Sequence, residues 1–283
     1  MAPQDAHDRL STQQFHRLAK AIEGYSGIKM PPAKKVMVEG RLRRRVSKLG
    51  LASLNAYCDH LFAQGDLNNE FIHLIDAVTT NKTEFFREPQ HFRFLTEQGL
   101  PTLLAKSGAG GRRTLKAWSA ACSTGAEPYT MAMVLQEFGQ TQRGYRYSVL
   151  ATDICTEVLE KGLLGIYPEE MSAPVSEELL RRYFMRSRDR ARQEVRVAPE
   201  IRTQVRFARL NLMDESYDVD MGMDIIFCRN ILIYFDKPTQ EQVLKRLCQH
   251  LHPGGYLIIG HSEATAGFSL PLRSVAPTVF MRE

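Results

Sequence analysis

The chain has 283 residues, room for one large domain or two moderate ones at about 100–200 residues each. Its 43% hydrophobic and 24% charged residues exclude disordered, collagen-like and coiled-coil chains. The net charge of +5 is too small to indicate nucleic-acid binding by itself, yet it is concentrated. Residues 31–50 carry seven bases against one acid, a net of +6, and residues 186–206 carry seven arginines against three acids, a net of +4.

In chain order, Ser11 and Gln14 are spaced as a capping box ahead of Phe15, Leu18, Ile22 and Tyr25, a first helix that Gly27 ends. Pro31-Pro32 open a second helix that runs through the basic stretch to Gly50, with Val36, Met37, Leu42, Val46 and Leu49 as its buried face. Leu54, Tyr57, Leu61 and Phe62 predict a third helix, and Phe71, Ile72, Ile75 and Val78 a fourth. The texture changes after the Gly108–Gly111 loop. Strand-like runs at 114–121, 145–153, 204–212, 223–230 and 254–262 alternate with helical patterns near 127–138, 156–162 and 239–251. Buried strands alternating with helices imply a mostly parallel sheet covered on both faces, an α/β domain. The Arg-rich interval 165–203 breaks the rhythm and reads as an insertion with a small β element. Domains at 1–78 and 79–283 follow.

No apolar run reaches the roughly 18 residues of a membrane span, and the first 14 residues lack the apolar stretch of a leader. Five cysteines without short paired spacings fit neither a zinc site nor a disulfide framework. A cytoplasmic protein with reduced thiols and no metal is expected. Cys122, Cys155 and Cys228 fall at ligand-facing strand ends and read as small buried apolar residues.

Ligands of open α/β sheets bind beyond the carboxyl ends of the strands, and here those ends are polar. The first strand is followed by ACSTGAEPYT, in which Gly125 permits close backbone approach and Glu127-Pro128 opens a helix. Asp153 closes the second strand, where an acid usually meets ribose hydroxyls. The turn lacks GxGxxG, and Glu127 would repel a pyrophosphate at the helix N-terminus. A cationic nucleoside cofactor, S-adenosylmethionine, fits better than NAD or FAD. One such turn alone is equally compatible with a structural connection. Asn211 after the third strand and Arg229-Asn230 after the fourth add weight, because four polar strand ends then converge on one sheet edge.

The segments TTNKTEFFRE (79–88), AACSTGAEPYT (120–130), ATDI (151–154), NLMD (211–214), IIFCRNILIYF (225–235) and HLHPGGYLIIGHSE (250–263) resemble the chemotaxis receptor glutamate methyltransferases, the CheR family, in order and spacing from about residue 10 onward. The resemblance implies a small helical N-terminal domain and a Rossmann-like S-adenosylmethionine-dependent methyltransferase domain with an inserted small antiparallel β-subdomain at 165–203. It implies that Asn81, Thr83 and Arg87 reach the cofactor site, that Glu127 and Asp153 are its acids, and that Asp153 holds the ribose. Asn211-Leu212 would border the adenine, Arg229-Asn230 the amino-acid end, and Tyr234 the sulfonium. Phe85 and Phe86 read as core.

The reaction implied is methyl transfer to a receptor glutamate carboxylate, yielding a methyl ester and S-adenosylhomocysteine. A glutamate with a reference pKa of about 4.3 is already ionised, so positioning, not a general base, dominates. Arg87 and Tyr234 are the expected catalytic pair. The acidic, coiled-coil cytoplasmic domain of a chemoreceptor is the implied partner, docked by Lys34, Lys35, Arg41, Arg43, Arg44, Arg45 and Lys48, which recruits the enzyme to receptor arrays. Some relatives hold a receptor C-terminal peptide by strand addition to the β-subdomain; the loop SRDRARQE (187–194) lacks the glycine associated with that tether. Nucleic acid is not an expected partner, since Asn230 precedes ILIYF rather than a proline pair. A monomer is expected.

Overall fold

Four N-terminal helices bury most of the apolar positions read from the sequence: α1 (Thr12–Ser26), α2 (Lys35–Lys48), α3 (Leu54–Ala63) and α4 (Leu67–Val78). The computed structural model describes residues 8–63, 67–189 and 191–283; residues 1–7 of the expected leader-free terminus and Arg190 of the SRDRARQE loop lie outside them. The Ser11 hydroxyl caps α1 by accepting the Gln14 amide at 3.1 Å. Gln14 does not complete the box: its side chain donates to Asp59 Oδ1, and the Ser11 amide donates to Asn55 instead. Gly27, at φ +73°, ends the helix in the left-handed conformation that favours glycine. The buried face of α2 is Val38, Glu39, Leu42 and Val46, whereas Val36 is 65% exposed. An i, i+4, i+8 stripe through Val38 turns Val36 some 200° away, and Glu39 is admitted because its carboxylate accepts the Leu10 amide at 3.0 Å. These helices close around their own core, which includes Leu18, Ile22, Leu42, Tyr57, Leu74 and Ile75.

An irregular strap at 79–88 leads into α5 (Pro89–Phe94) and α6 (Leu100–Ser107), helices that the sequence pattern did not single out. The α/β domain then runs β1 (Leu115–Ala120), α7 (Ala126–Gln140), β2 (Tyr147–Asp153), α8 (Thr156–Leu164), β3 (Ile166–Pro168), α9 (Glu177–Tyr183), β4 (Phe184–Arg186), β5 (Glu194–Val197) and α10 (Pro199–Arg202). It closes with β6 (Val205–Arg209), β7 (Met223–Cys228), α11 (Lys237–His250), β8 (Leu251–Ile259), β9 (Leu272–Ala276) and β10 (Val279–Arg282). The seven-stranded sheet has the order β6-β2-β1-β7-β8-β10-β9. Strands β6 to β8 are parallel, and β10 lies antiparallel between β8 and β9. The insertion expected at 165–203 is a three-stranded antiparallel sheet, β3-β5-β4.

Every residue of β7, MDIIFC, is buried, as a strand covered on both faces requires. Separate apolar clusters lie on the two faces, one around Phe85, Tyr129 and Phe227, the other around Trp118, Ile226 and Leu244. From β1 the chain steps to β2 on one side, and β7 lies on the other, so the strand order reverses at the carboxyl end of β1. A crevice forms there. The third predicted strand ends early, at Arg209, because Asn211 Oδ1 accepts the Met213 amide and turns the chain.

Candidate functional site

A cleft of about 1170 Å³, measured out to its mouth, occupies that switch point. All ten cofactor and catalytic candidates line it: Asn81, Thr83, Arg87, Glu127, Asp153, Asn211, Leu212, Arg229, Asn230 and Tyr234. The turn after β1 is built from left-handed residues, Ala121 (φ +59°), Ser123 (φ +52°) and Gly125 (φ +92°). Non-glycine residues there store strain of about 1–3 kcal/mol each, which clusters at functional sites. A Cβ on Gly125 would lie 3.0 Å from both the Phe207 ring and the Tyr167 hydroxyl. The turn brings the Ser123 amide to Asp153 Oδ2 at 2.8 Å, and the Cys155 amide reaches Oδ1 at 2.9 Å. Burial pushes the Asp153 carboxyl above its ordinary pKa against these amide bonds. Among the described residues no cation pairs with it.

Arg229 is the centre of a second cluster. Its side chain is 1% exposed, with Nη1 donating to Glu127 Oε2 at 2.9 Å and Nη2 to Glu88 Oε2 at 3.0 Å and the Arg87 carbonyl at 2.5 Å. Its guanidinium also lies over the Phe227 ring, 5.4 Å from the centroid. Glu127 accepts the Ser119 hydroxyl at 2.7 Å on its other oxygen. One guanidinium thus serves two carboxylates. Burial drives the Glu127 carboxyl upward despite Arg229 and Ser119. Burial acts the same way on Glu88, but Arg229 and Asn230 outweigh it and the net shift is downward. Arg229, expected to border the cofactor's amino-acid end, therefore faces the cleft with both terminal nitrogens engaged, while its buried Nε has no hydrogen-bond partner among the described residues.

The remaining candidates differ in how far the fold has engaged them. Asn211 Nδ2 donates to the Tyr25 carbonyl at 2.7 Å, tying the sheet edge to the end of α1. Asn81 bridges the strap and the α/β domain: its carbonyl accepts the Ser123 hydroxyl at 2.9 Å. Arg87 donates to the Lys82 carbonyl at 3.1 Å and, among the described residues, has no acidic partner. The Tyr234 ring packs under Lys34 Nζ, 5.7 Å from the centroid, while the Tyr234 carbonyl accepts the Lys29 amide at 3.2 Å.

Three features were not read from the sequence. The helical domain supplies one wall of the cleft through Ser26, Ile28, Met30, Lys34 and Met37. A Cβ on Gly27 would meet Met213 Sδ at 2.6 Å, so the two domains touch where only glycine fits. Glu88, at φ +55°, accepts from Arg229, Asn230 Nδ2 and the His261 amide. Glu263 is buried and fixes the turn after β7, its two oxygens accepting the amides of Asn230, Leu232 and Gly260 at 2.7–3.0 Å. The only sequence signal for Glu88 and Glu263 was their place inside the quoted segments.

The basic stretch divides. Arg45 is bound inside the helical domain, bidentate to Glu70 at 2.5 and 2.9 Å, with the Tyr57 hydroxyl on the same carboxylate. Arg41 clamps the carbonyls of Val78 and Thr79, and Arg43 donates to the Asp8 carbonyl. Arg45 and Arg41 are thus occupied by the fold itself, a correction to their place in the docking set. Lys34 turns into the cleft, while Arg44 and Lys48 are exposed. The five cysteines are buried and unpaired; burial holds Cys122 and Cys228 well above the ordinary thiol range and Cys155 up at about 12, so none is poised as a thiolate.

A sheet in this order, with an acid closing its second strand and a cleft at its switch point, is the arrangement of an S-adenosylmethionine-dependent methyltransferase. The comparisons make this particular. The sequence profile described as "CheR methyltransferase, SAM binding domain" matches residues 81–280, and "CheR methyltransferase, all-alpha domain" matches residues 13–79. The chain is 42% identical over 254 residues to the chemotaxis protein methyltransferase of Salmonella typhimurium, covering 90% of this chain and 84% of that one. It is 41% identical to that of Escherichia coli, covering 90% and 85%, and 36% identical to that of Borreliella burgdorferi, covering 91% and 90%. The chain belongs to the CheR family of chemotaxis protein methyltransferases. Among the described residues no helix is long and apolar enough to cross a membrane.

Proposed function

We propose that the protein methylates glutamate side chains on the cytoplasmic helices of chemoreceptors, forming γ-methyl esters. The observation that carries this reading is the order of charge along the cleft. Its buried end holds two acids, Asp153 and Glu127, against one arginine, Arg229, while its more exposed part holds Arg87, Lys34 and Lys82, none of which has a salt-bridge partner among the described residues. An acidic interior suits a cationic cofactor and a basic entrance suits an anionic substrate. The residues fit S-adenosylmethionine: Asp153 is held by two backbone amides at the ribose position, Ile154, Leu210 and Leu212 offer an apolar border, and the Arg229 cluster retains one net negative charge beside it. When bound, S-adenosylmethionine supplies the activated methyl group.

The chain's own contribution is alignment. Arg87 grips the incoming carboxylate with the parallel donors of its guanidinium, and Tyr234, which also lines the cleft, directs its hydroxyl to the reacting centre. Orienting two reactants contributes several kcal/mol without any general base. Asn81 and Thr83 place the strap against the cofactor, and Asn211 joins that edge to the helical domain. Lys35, Arg43, Arg44 and Lys48 offer a surface for an acidic helix. A receptor peptide added to an edge of the β3-β5-β4 sheet is a second contact compatible with that fold.

Methyl-labelled S-adenosylmethionine mixed with receptor cytoplasmic fragments tests the reading. Label released as methanol by mild alkali is the expected result; alkali-stable label would overturn it. Arg87→Ala is expected to lower turnover at least 100-fold while cofactor affinity changes less than threefold. Equal losses in both would move Arg87 from substrate alignment to cofactor binding.

A further inference from the structure

A second cluster of coordinating side chains lies outside the cleft. Glu88, His91 of α5 and His261, just beyond β8, come from three separated segments, and one ligand atom from each lies within 4.8 Å of the others. His91 is 1% exposed. Its Nε2 is 2.8 Å from Thr278 Oγ1, and that hydroxyl donates its single proton to the Pro277 carbonyl at 2.7 Å. In that arrangement the hydroxyl accepts from His91 Nε2–H. The lone pair of Nδ1 then points into the cluster. Nδ1 is buried without a hydrogen-bond partner and faces Glu88 Oε2 at 3.5 Å.

Two acceptors facing each other in a buried site repel unless a cation lies between them. Nδ1 and the carboxylate stand 3.5 Å apart with no hydrogen bond between them, wider than a shared proton would hold them. A metal ion fits better. Two bonds of about 2.1 Å, usual for zinc to imidazole nitrogen and carboxylate oxygen, span the 3.5 Å separation at an angle of roughly 110°, near tetrahedral. His261 is exposed, and its ring centroid lies 4.8 Å from that of His91 in an edge-on arrangement, so a rotamer change brings in a third donor. The bond from His91 Nε2 to Thr278 is the outer contact that metal-binding histidines usually make. Arg229 Nη2 shares the Glu88 oxygen at 3.0 Å, but with Glu127 on its other side the group remains negative by one charge.

We propose that Glu88, His91 and His261 form a site for a borderline divalent cation of the zinc class. The expectation of no metal rested on cysteine spacing, which says nothing about these residues. Glu88 also anchors Arg229 and Asn230, so an ion here stiffens one wall of the cleft without entering it.

The test uses the full-length, tag-free chain, metal-stripped, titrated with Zn²⁺ by calorimetry and with Co²⁺ by absorption. One tight equivalent is expected, with an intense tetrahedral Co²⁺ spectrum and a Zn²⁺-dependent rise in melting temperature. His261→Ala alters an exposed side chain and should fold normally while weakening Zn²⁺ at least tenfold and removing most of the thermal shift; Glu88→Gln should also weaken it. Equal affinity in wild type and His261→Ala, an octahedral Co²⁺ spectrum, or a ¹⁵N spectrum showing His91 protonated on both nitrogens at pH 7 would overturn the site.

Discussion

Arg45 and Arg229 each sit in an ion cluster, and the two clusters do different work. In the helical domain Arg45 meets a single carboxylate, Glu70, completed by the Tyr57 hydroxyl. In the cleft Arg229 is divided between Glu88 and Glu127. Glu70 is pushed up by burial but pulled further down by Arg45 and Tyr57, so its net shift is downward; Glu127 is pushed up by burial and stays up. The first cluster is neutral and complete. The second retains a negative charge that a cationic ligand can balance, an arrangement that costs stability without the ligand and favours binding with it.

The largest expected effect separates the two by removing the cations. Arg229→Met strands two carboxylates and should cost about 3–5 kcal/mol in urea unfolding, whereas Arg45→Met, which strands one, should cost less; equal losses would erase the distinction. Next, Glu70→Gln should cost about 2 kcal/mol, the scale of charged hydrogen bonds. Because the folded pKa of Glu70 lies below its unfolded value, that contribution is present above the unfolded pKa and lost as pH falls through the folded one. A stability profile of the variant that lost this acid-side dependence would confirm it.

Glu127→Gln sharpens the contrast from the other side. Its stability at neutral pH should stay within about 1 kcal/mol of wild type, because ionising a carboxyl with a raised pKa opposes folding. Its affinity for S-adenosylmethionine should fall at least tenfold, about 1.4 kcal/mol. A variant that bound normally would take Glu127 out of the recognition charge. The smallest effect is a linkage. A cation beside Glu127 favours its ionised form, so cofactor binding should release a fraction of a proton, and affinity should fall as pH drops through the raised pKa. Calorimetry in buffers of different ionisation enthalpy measures this directly.

Much of the site was legible because strand ends carry ligands and the strand pattern was strong. The buried run MDIIFC located Arg229-Asn230, and the position of Asp153 followed from the preceding apolar run. What those residues do to one another was not legible. The partners of Arg229 lie 102 and 141 positions away, and Glu263 reaches back 33 positions to the Asn230 amide. Val36 was misplaced because Pro31-Pro32 locate the start of α2 without fixing its rotation, which the stripe Val38, Leu42 and Val46 sets by packing. The β9–β10 hairpin was missed because its strands are short and mostly half-exposed.

The sequence by itself determined the four helices, the alternating α/β pattern and the polar residues at the strand ends, since each follows from local periodicity and turn chemistry. Only the tertiary structure decided which charges are spent on the fold. It closed Arg45 and Arg41 into the helical domain, turned Lys34 toward the cleft, set one arginine between two acids, and placed the buried His91 Nδ1 beside Glu88. A charge is neutralised by whatever lies within a few ångströms, and that neighbourhood is fixed by chain crossings no local pattern encodes.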